Sequence, residues 1–381
     1  MTADISKLLG SRPRLLALGE PTHGDQDLLD LRNDLFRQLV EREGYRTIAI
    51  ESDCLMGQVV DDHVRFGTGD LDDVMARGFS HEWGAFPGNR ELVRWMRAHN
   101  EGRPESERVR FAGFDGPLEI TAAASPRQAL IALHAYLSTR VDADLLPGPA
   151  ETLDRLLGPD ERWTNPRAMR EPAESVGQTP DADRLRVLAD DLVALLDAQA
   201  PHLIVASTPD EWDQARRYAR TVIGLLRYHF WMADPSPARL SRLTGQRDLM
   251  MAGNLLALAD RGPTLVNAHN GHLQRARSTM RMGGQALQWW SAGAIVSARL
   301  GADYAFLASA IGTIRRHGVD VPPADTIEGL LYALPQRSGL VDPRTLDAAK
   351  LSPRVSPWYG YAPLDPAQLT GIDGIVYTKG G

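Results

Sequence analysis

The sequence predicts an α/β protein: a largely parallel central sheet flanked by helices, with a helical insertion or cap forming one side of the cleft. Three observations carry this expectation. Short apolar runs recur along the chain, and each ends in a cluster of polar residues. A stretch of helical periodicity separates the first two of these runs. The middle of the chain, from about residue 120 to 240, has almost only helical texture.

The runs are RLLALGE at 14–20, TIAIESD at 47–53, VRFAGFDG at 109–116 and TLVNAHNGH at 264–272. Apolar runs of 4–8 residues bounded by turn chemistry fit buried strands better than helices. Between the first two, Leu28, Leu31, Leu35, Phe36, Leu39 and Val40 recur at helical spacing, and Gly44 supplies a stop. Strand, helix and strand in succession imply a βαβ unit and a parallel sheet.

The segments SPRQALIALHAYLSTR, DRLRVLADDLVALLDAQA and EWDQARRYARTVIGLLRYHFWMA read as helices, parted by a Pro-rich, charged stretch near 145–185. Strand texture returns in ADYAFLASAIGTI and GIDGIVYTK, which should complete the sheet. The organisation expected is therefore an α/β core of residues 1–120 and 240–381 carrying the active site, and a helical insertion or cap over 121–239. No internal repeat or low-complexity segment is present.

At 381 residues, with 43% hydrophobic and 24% charged residues, the chain can bury a substantial core without staples. A net charge of -7 gives no basic surface for nucleic acid, and no apolar run approaches the ~20 residues that span a bilayer. The single cysteine, Cys54, excludes an internal disulfide framework, and MTADISKLLGSRPR lacks the order of a secretory signal. The expectation is a cytoplasmic protein whose partner is a small molecule, not nucleic acid or membrane.

In open α/β sheets ligands bind beyond the carboxyl ends of the strands, where the reactive side chains of this sequence stand. In GEPTHGD, Glu20 and His23 leave the first strand together just before a helix begins. The partial positive charge of that helix end favours neutral imidazole, and a histidine pKa of about 6.5 suits general-base work. The plain alternative is that both residues merely cap the helix.

Arg32 lies on the apolar stripe of the following helix, so its guanidinium needs a carboxylate or ligand anion: either an ion pair with Glu20 or Glu51, or a donor for negative charge developing on a carbonyl oxygen. Glu51 and Asp53 close the second strand, where partial desolvation demands a cation or donor. His269 and His272 stand three apart; a helical turn would put both rings on one face, whereas Asn267, Asn270 and Gly271 suit a tight turn.

In SRLTGQRDLMMAGNLLALAD, Arg247 and Asn254 share a stripe with Leu243, Met250, Met251 and Leu258. Arg247 is expected in the wall of the site, and Asn254 to bond substrate or to fix loop backbone beneath it. In HEWGAFPGNRELVRWMRAHN, His81 and Trp83 are candidates for the wall of an apolar pocket or for the core, and His99 reads as a solvated helix end. Asp115 ends another strand, where it could orient a histidine or start the next turn.

No GxSxG elbow, Walker loop or dinucleotide glycine loop occurs, which leaves no covalent nucleophile or nucleotide cofactor in view. Histidines and carboxylates could bind a metal, but the spacing matches no HExxH-type signature, so no metal is expected.

Taken together and in this order, GEPTHG, AIESD, HEWG, FAGFDG, GQRDLMMAGN and NAHNGH resemble the erythromycin esterase family over most of the chain, less so around 125–205 and at the C-terminus. The resemblance implies hydrolysis of a macrolactone ester by an activated water, with no acyl-enzyme and no essential metal or other cofactor. It implies His23 as general base, Glu20 and Glu51 orienting it and the water, and Arg32 holding the reacting group. His269 and His272 would stabilise the oxyanion or protonate the departing alkoxide. The competing expectations are a natural-product biosynthetic enzyme using the same base for elimination, cyclisation or acyl transfer, and a protein that only binds a small molecule or metal.

Overall fold

The computed structural model describes residues 2–119, 122–282 and 284–381, and the chain forms two compact units. One comprises Met1–Ser52, Met56–Phe114 and Leu255–Gly381; the other comprises Asp53–Leu55 and Asp115–Asn254.

The first unit is built on a seven-stranded sheet. Its strands are β1 (Leu15–Glu20), β2 (Thr47–Asp53), β3 (Arg110–Asp115), β4 (Thr264–His269), β5 (Tyr304–Thr313), β6 (Ser338–Val341) and β7 (Gly374–Gly380). They lie in the order β6-β7-β5-β1-β4-β2-β3. The pairs β1–β4, β1–β5, β5–β7 and β2–β4 are parallel, and β6 runs antiparallel to β7.

The expected mostly parallel sheet is thus what forms, for a simple reason. Parallel strands are covered on both faces and read as continuous apolar runs, and every residue of β1 and β5 is buried. The helix expected between the first two strands spans Gln26–Arg42, buries Leu28, and packs Leu35, Phe36, Leu39 and Val40 against Leu16, Leu18, Ile48 and Ile50. It ends at Arg42, two residues before Gly44, which takes a φ of +71°.

The second unit is helical, with Arg127–Ser138, Pro180–Ala198 and Pro209–Met232 as its main helices. Pro at N1 and a Thr cap start the last two, and Thr208 with Glu211 forms a full capping box. Leu130, Leu133, Leu185, Leu192, Val222 and Leu226 meet in one apolar core. The Pro-rich stretch near 145–185 is more than a spacer. It holds a helix, Ala150–Leu157, and three 3-10 turns, and it places Leu153, Leu156, Leu157 and Trp163 in that core. Among the described residues, no helix is long and apolar enough to cross a membrane.

Candidate functional site

The strand register brings the reactive residues level. The β1–β4 pairing sets Glu20 beside His269, and the β2–β4 pairing sets Ile50 beside Asn267, so that Glu51 comes one step further along the same edge. Three strands that are remote in sequence thereby deliver Glu20, Glu51 and His269 to the carboxyl end of the sheet.

His23 follows on the turn after β1. Its Nδ1 lies 2.7 Å from Glu20 Oε1, and its side chain is 35% exposed while that of Glu20 is 6% exposed. The turn needs Gly24 in the left-handed region at φ +70°, where an added Cβ would also strike the Phe86 ring. The Trp83 ring packs 4.7 Å from the His23 ring, and the His269 ring lies 5.5 Å from it.

Burial works against charge on His23, but the carboxylates of Glu51 and Glu20 outweigh it and raise its pKa above the ordinary 6.5. The expectation of an imidazole kept neutral by the helix end is therefore reversed. Two nearby full charges exceed the partial charge of a helix terminus.

Glu51 is held at both oxygens. Oε2 accepts the backbone N–H of His269 at 2.8 Å, and Oε1 lies 3.4 Å from His272 Nε2. The segment after β4 takes the helical alternative, a single turn over Asn270–Leu273 with His269 as its N-cap. His269 Nδ1 accepts the Gly271 N–H at 3.1 Å, and its ring also hydrogen-bonds the Pro21 carbonyl. With Nδ1 accepting, the donating atom is Nε2. Burial, followed by the His23 charge, lowers the His269 pKa to about 3, so this ring is neutral at any working pH. The two rings do not stack on one face: their centroids are 6.5 Å apart and nearly perpendicular.

Arg32 is buried, as its place on the apolar stripe implied, but its direct partners correct the expectation. Nε and Nη2 donate to Asn33 Oδ1 at 3.1 and 2.8 Å, and Nη1 donates to Asn267 Oδ1 at 3.3 Å. Amide oxygens, not a carboxylate, receive the guanidinium, while the Glu20 charge acts on it at longer range. Burial lowers its pKa to about 10, which leaves it cationic at neutral pH. Neither asparagine was singled out as a partner of Arg32 from sequence. The available signal was a polar residue inside the apolar run TLVNA and another on the buried helix face.

His81 and Trp83 also belong here. Their rings are 5.6 Å apart, with Trp83 buried. His81 and Glu82 both take positive φ, 56° and 59°, before the 3-10 turn Trp83–Ala85. Strained backbone of this kind persists where surrounding structure enforces it; here Asn89 Nδ2 grips the Trp83 carbonyl at 3.0 Å.

Of the remaining residues, Asp53, Asp115, Arg247 and Asn254 fall in the second unit and His99 in the first. Asp115 Oδ2 takes Arg247 through Nε at 2.9 Å and Nη2 at 2.7 Å, and Asp115 Oδ1 accepts the Gly116 N–H. Asn254 Oδ1 accepts from Arg220 Nε at 3.0 Å. Asp53 Oδ1 accepts the Leu55 N–H at 2.6 Å. His99, in the last turn of Pro87–Asn100, packs its ring 5.2 Å from Trp95 and is half-buried instead of solvated. Among the described residues, no group of three or more His, Cys, Asp or Glu has the arrangement to hold a metal ion.

Chemically, the cluster offers an imidazole with one nitrogen held by a carboxylate and its other nitrogen available, a second histidine on a second carboxylate, and a neutral histidine between them. This arrangement can accept and return a proton.

The sequence and structure were compared with known proteins. The family described as erythromycin esterase matches residues 40–373. Erythromycin esterase type II of Escherichia coli is 30% identical over 114 residues, an alignment spanning 30% of this chain and 26% of that relative's length. A crystal structure from Bacillus cereus superposes with a TM-score of 0.72 at 16% identity, covering 99% of this chain and 90% of the other. A mutant of the erythromycin esterase EreC in its open conformation superposes with a TM-score of 0.71 at 17% identity, covering 100% and 94%. A succinoglycan biosynthesis protein gives a TM-score of 0.71 at 16% identity, covering 99% and 90%.

Proposed function

The chain belongs to the erythromycin esterase family, and from that premise we propose that it hydrolyses an ester or macrolactone in a small molecule, with a water activated by His23. The observation that carries this reading is the 2.7 Å bond between His23 Nδ1 and Glu20 Oε1 on a partly exposed ring. Glu20 holds the proton on Nδ1 and leaves the Nε2 lone pair to take a proton from water.

As the O–H bond breaks, the water oxygen bonds the ester carbonyl carbon and the carbonyl π electrons move onto oxygen. The imidazolium formed is flanked by Glu20 and Glu51, the two carboxylates that raise its pKa. Collapse of the tetrahedral intermediate breaks the bond to the alkoxide, which takes the proton back from His23 Nε2. His272, 3.4 Å from Glu51, is the further donor for charge on the carbonyl oxygen. Arg32 acts through Glu20 and the β4 edge, being sealed away beneath them, and Trp83 with His81 walls the ring cluster. No acyl-enzyme is required.

The test is incubation of wild type and His23→Ala with macrolides and simpler lactones in H₂¹⁸O, read by mass spectrometry. Products that gain one labelled water with wild type alone support the reading. Products formed without label, or label that persists with His23→Ala, overturn it.

A further inference from the structure

The Pro21 carbonyl, between Glu20 and His23, is a junction. It accepts the His269 ring and, at 2.8 Å, the backbone N–H of Ala362. Ala362 lies about 340 residues away in a segment with no strand or helix of its own, so something else must hold it in place.

What holds it is a buried polar network centred on Glu328, which is 1% exposed on the helix Ile327–Tyr332. Glu328 Oε1 accepts the Leu364 N–H at 2.8 Å, and the Tyr361 side chain lies beside its carboxyl. Tyr361 also donates to the Ile311 carbonyl at 3.1 Å and accepts from Arg354 Nη1 at 3.0 Å. Arg354 in turn grips the carbonyls of Ile311, Gly312 and Asp320. Residues 361 and 364 are thus pinned on either side of Ala362, and the pins reach the end of β5. A carboxyl so deeply buried costs stability unless its bonds repay it, yet the proposed chemistry does not use it.

We propose that Glu328 is a positioning residue for the Glu20–His23 pair: by holding the Leu364 N–H next to the Tyr361–Arg354 anchor it sets the Ala362 N–H on the Pro21 carbonyl and so fixes the turn that aims His23. The proposal rests on the reading of His23 as the base, but its main readout does not need turnover.

That readout is the His23 ring by NMR, assigned by its loss in His23→Gln: the Nδ1–H signal and the ring's titration. Glu328→Ala removes the anchor, Glu328→Gln keeps an oxygen for the Leu364 N–H, and Ala362→Pro removes the N–H donated to Pro21 and puts a ring carbon in its place. In Glu328→Ala and Ala362→Pro the Nδ1–H signal should broaden or vanish and the His23 titration should move toward 6.5; Glu328→Gln should restore most of both. With a lactone substrate, kcat should fall roughly 10- to 100-fold with KM little changed, the size expected of a misplaced catalytic group. Folded Glu328→Ala or Ala362→Pro protein with an unchanged His23 spectrum overturns the proposal. If Glu328→Ala does not fold, Ala362→Pro alone decides. Failure of the hydrolase reading would show instead as absence of turnover in wild type, with the NMR effects intact.

Discussion

His23 Nδ1 and Glu20 Oε1 sit 2.7 Å apart although only two residues separate them, because β1 ends at Glu20 and the chain turns at once through Pro21 and Thr22. The carboxylate is fixed by the strand and the imidazole by the turn. Glu20→Gln removes one of the charges that raise the His23 pKa. The base form of His23 is the active one, so activity rises as pH climbs through that pKa. In wild type this limb lies above 6.5; in Glu20→Gln it should move to lower pH, while the plateau kcat falls by about 10² or more. A pH–rate profile of both proteins measures this, and an unmoved limb would count against Glu20 as the partner.

His269 and His272 should separate cleanly. Both nitrogens of His269 are engaged, and with a pKa of about 3 it does not titrate in the working range. His269→Asn keeps an acceptor for the Gly271 N–H and an effective N-cap, so kcat should drop about tenfold with the pH profile unchanged in shape. His272→Asn removes the ring that faces Glu51 and should cost about 10² or more. Loss of a titrating limb in His269→Asn would show that His269 itself exchanges protons.

Periodicity carried much of this arrangement. The runs ending at Glu20, Glu51 and His269 marked strands because a strand buried on both faces is apolar throughout, and Arg32 was visibly buried because it fell between Leu28 and Phe36 on one stripe. The partners of Arg32 were not legible: that Asn267 reaches it depends on β4 lying next to β1, which is a property of strand order. Ala362 gives no side-chain signal at all, since it contributes only a backbone N–H. The His23 pKa was misjudged because the sequence shows which charges exist but not how far apart they lie.

Glu82 offers a stability test. It is exposed, and its φ of 59° is unfavourable for any residue with a Cβ. Glu82→Gly should relieve this and raise stability by about 1 kcal/mol, less the added entropy of the unfolded chain. The neighbouring glycine should behave oppositely. A Cβ on Gly84 would fall 1.8 Å from the Met75 carbonyl oxygen, a backbone atom that cannot step aside, so Gly84→Ala should lose about 2 kcal/mol or more. Urea midpoints of the two variants give the signs directly.

In the helical unit, His229 is buried with its ring donating to the Ala124 carbonyl at 2.9 Å and packed edge-on against Trp163. Burial lowers its pKa to about 4, against about 6.5 when unfolded. Between those values the unfolded chain binds a proton that the folded one does not, so stability is full above 6.5 and falls as pH drops toward 4. The difference of about 2.5 units corresponds to about 3 kcal/mol across the window. His269 contributes with the same sign down to about 3. Urea unfolding from pH 7.5 to 4.5 should therefore show a midpoint that declines with acid. His229→Gln, which keeps a donor for Ala124 and cannot titrate, should flatten that decline; an unchanged slope would mean that other groups govern acid unfolding.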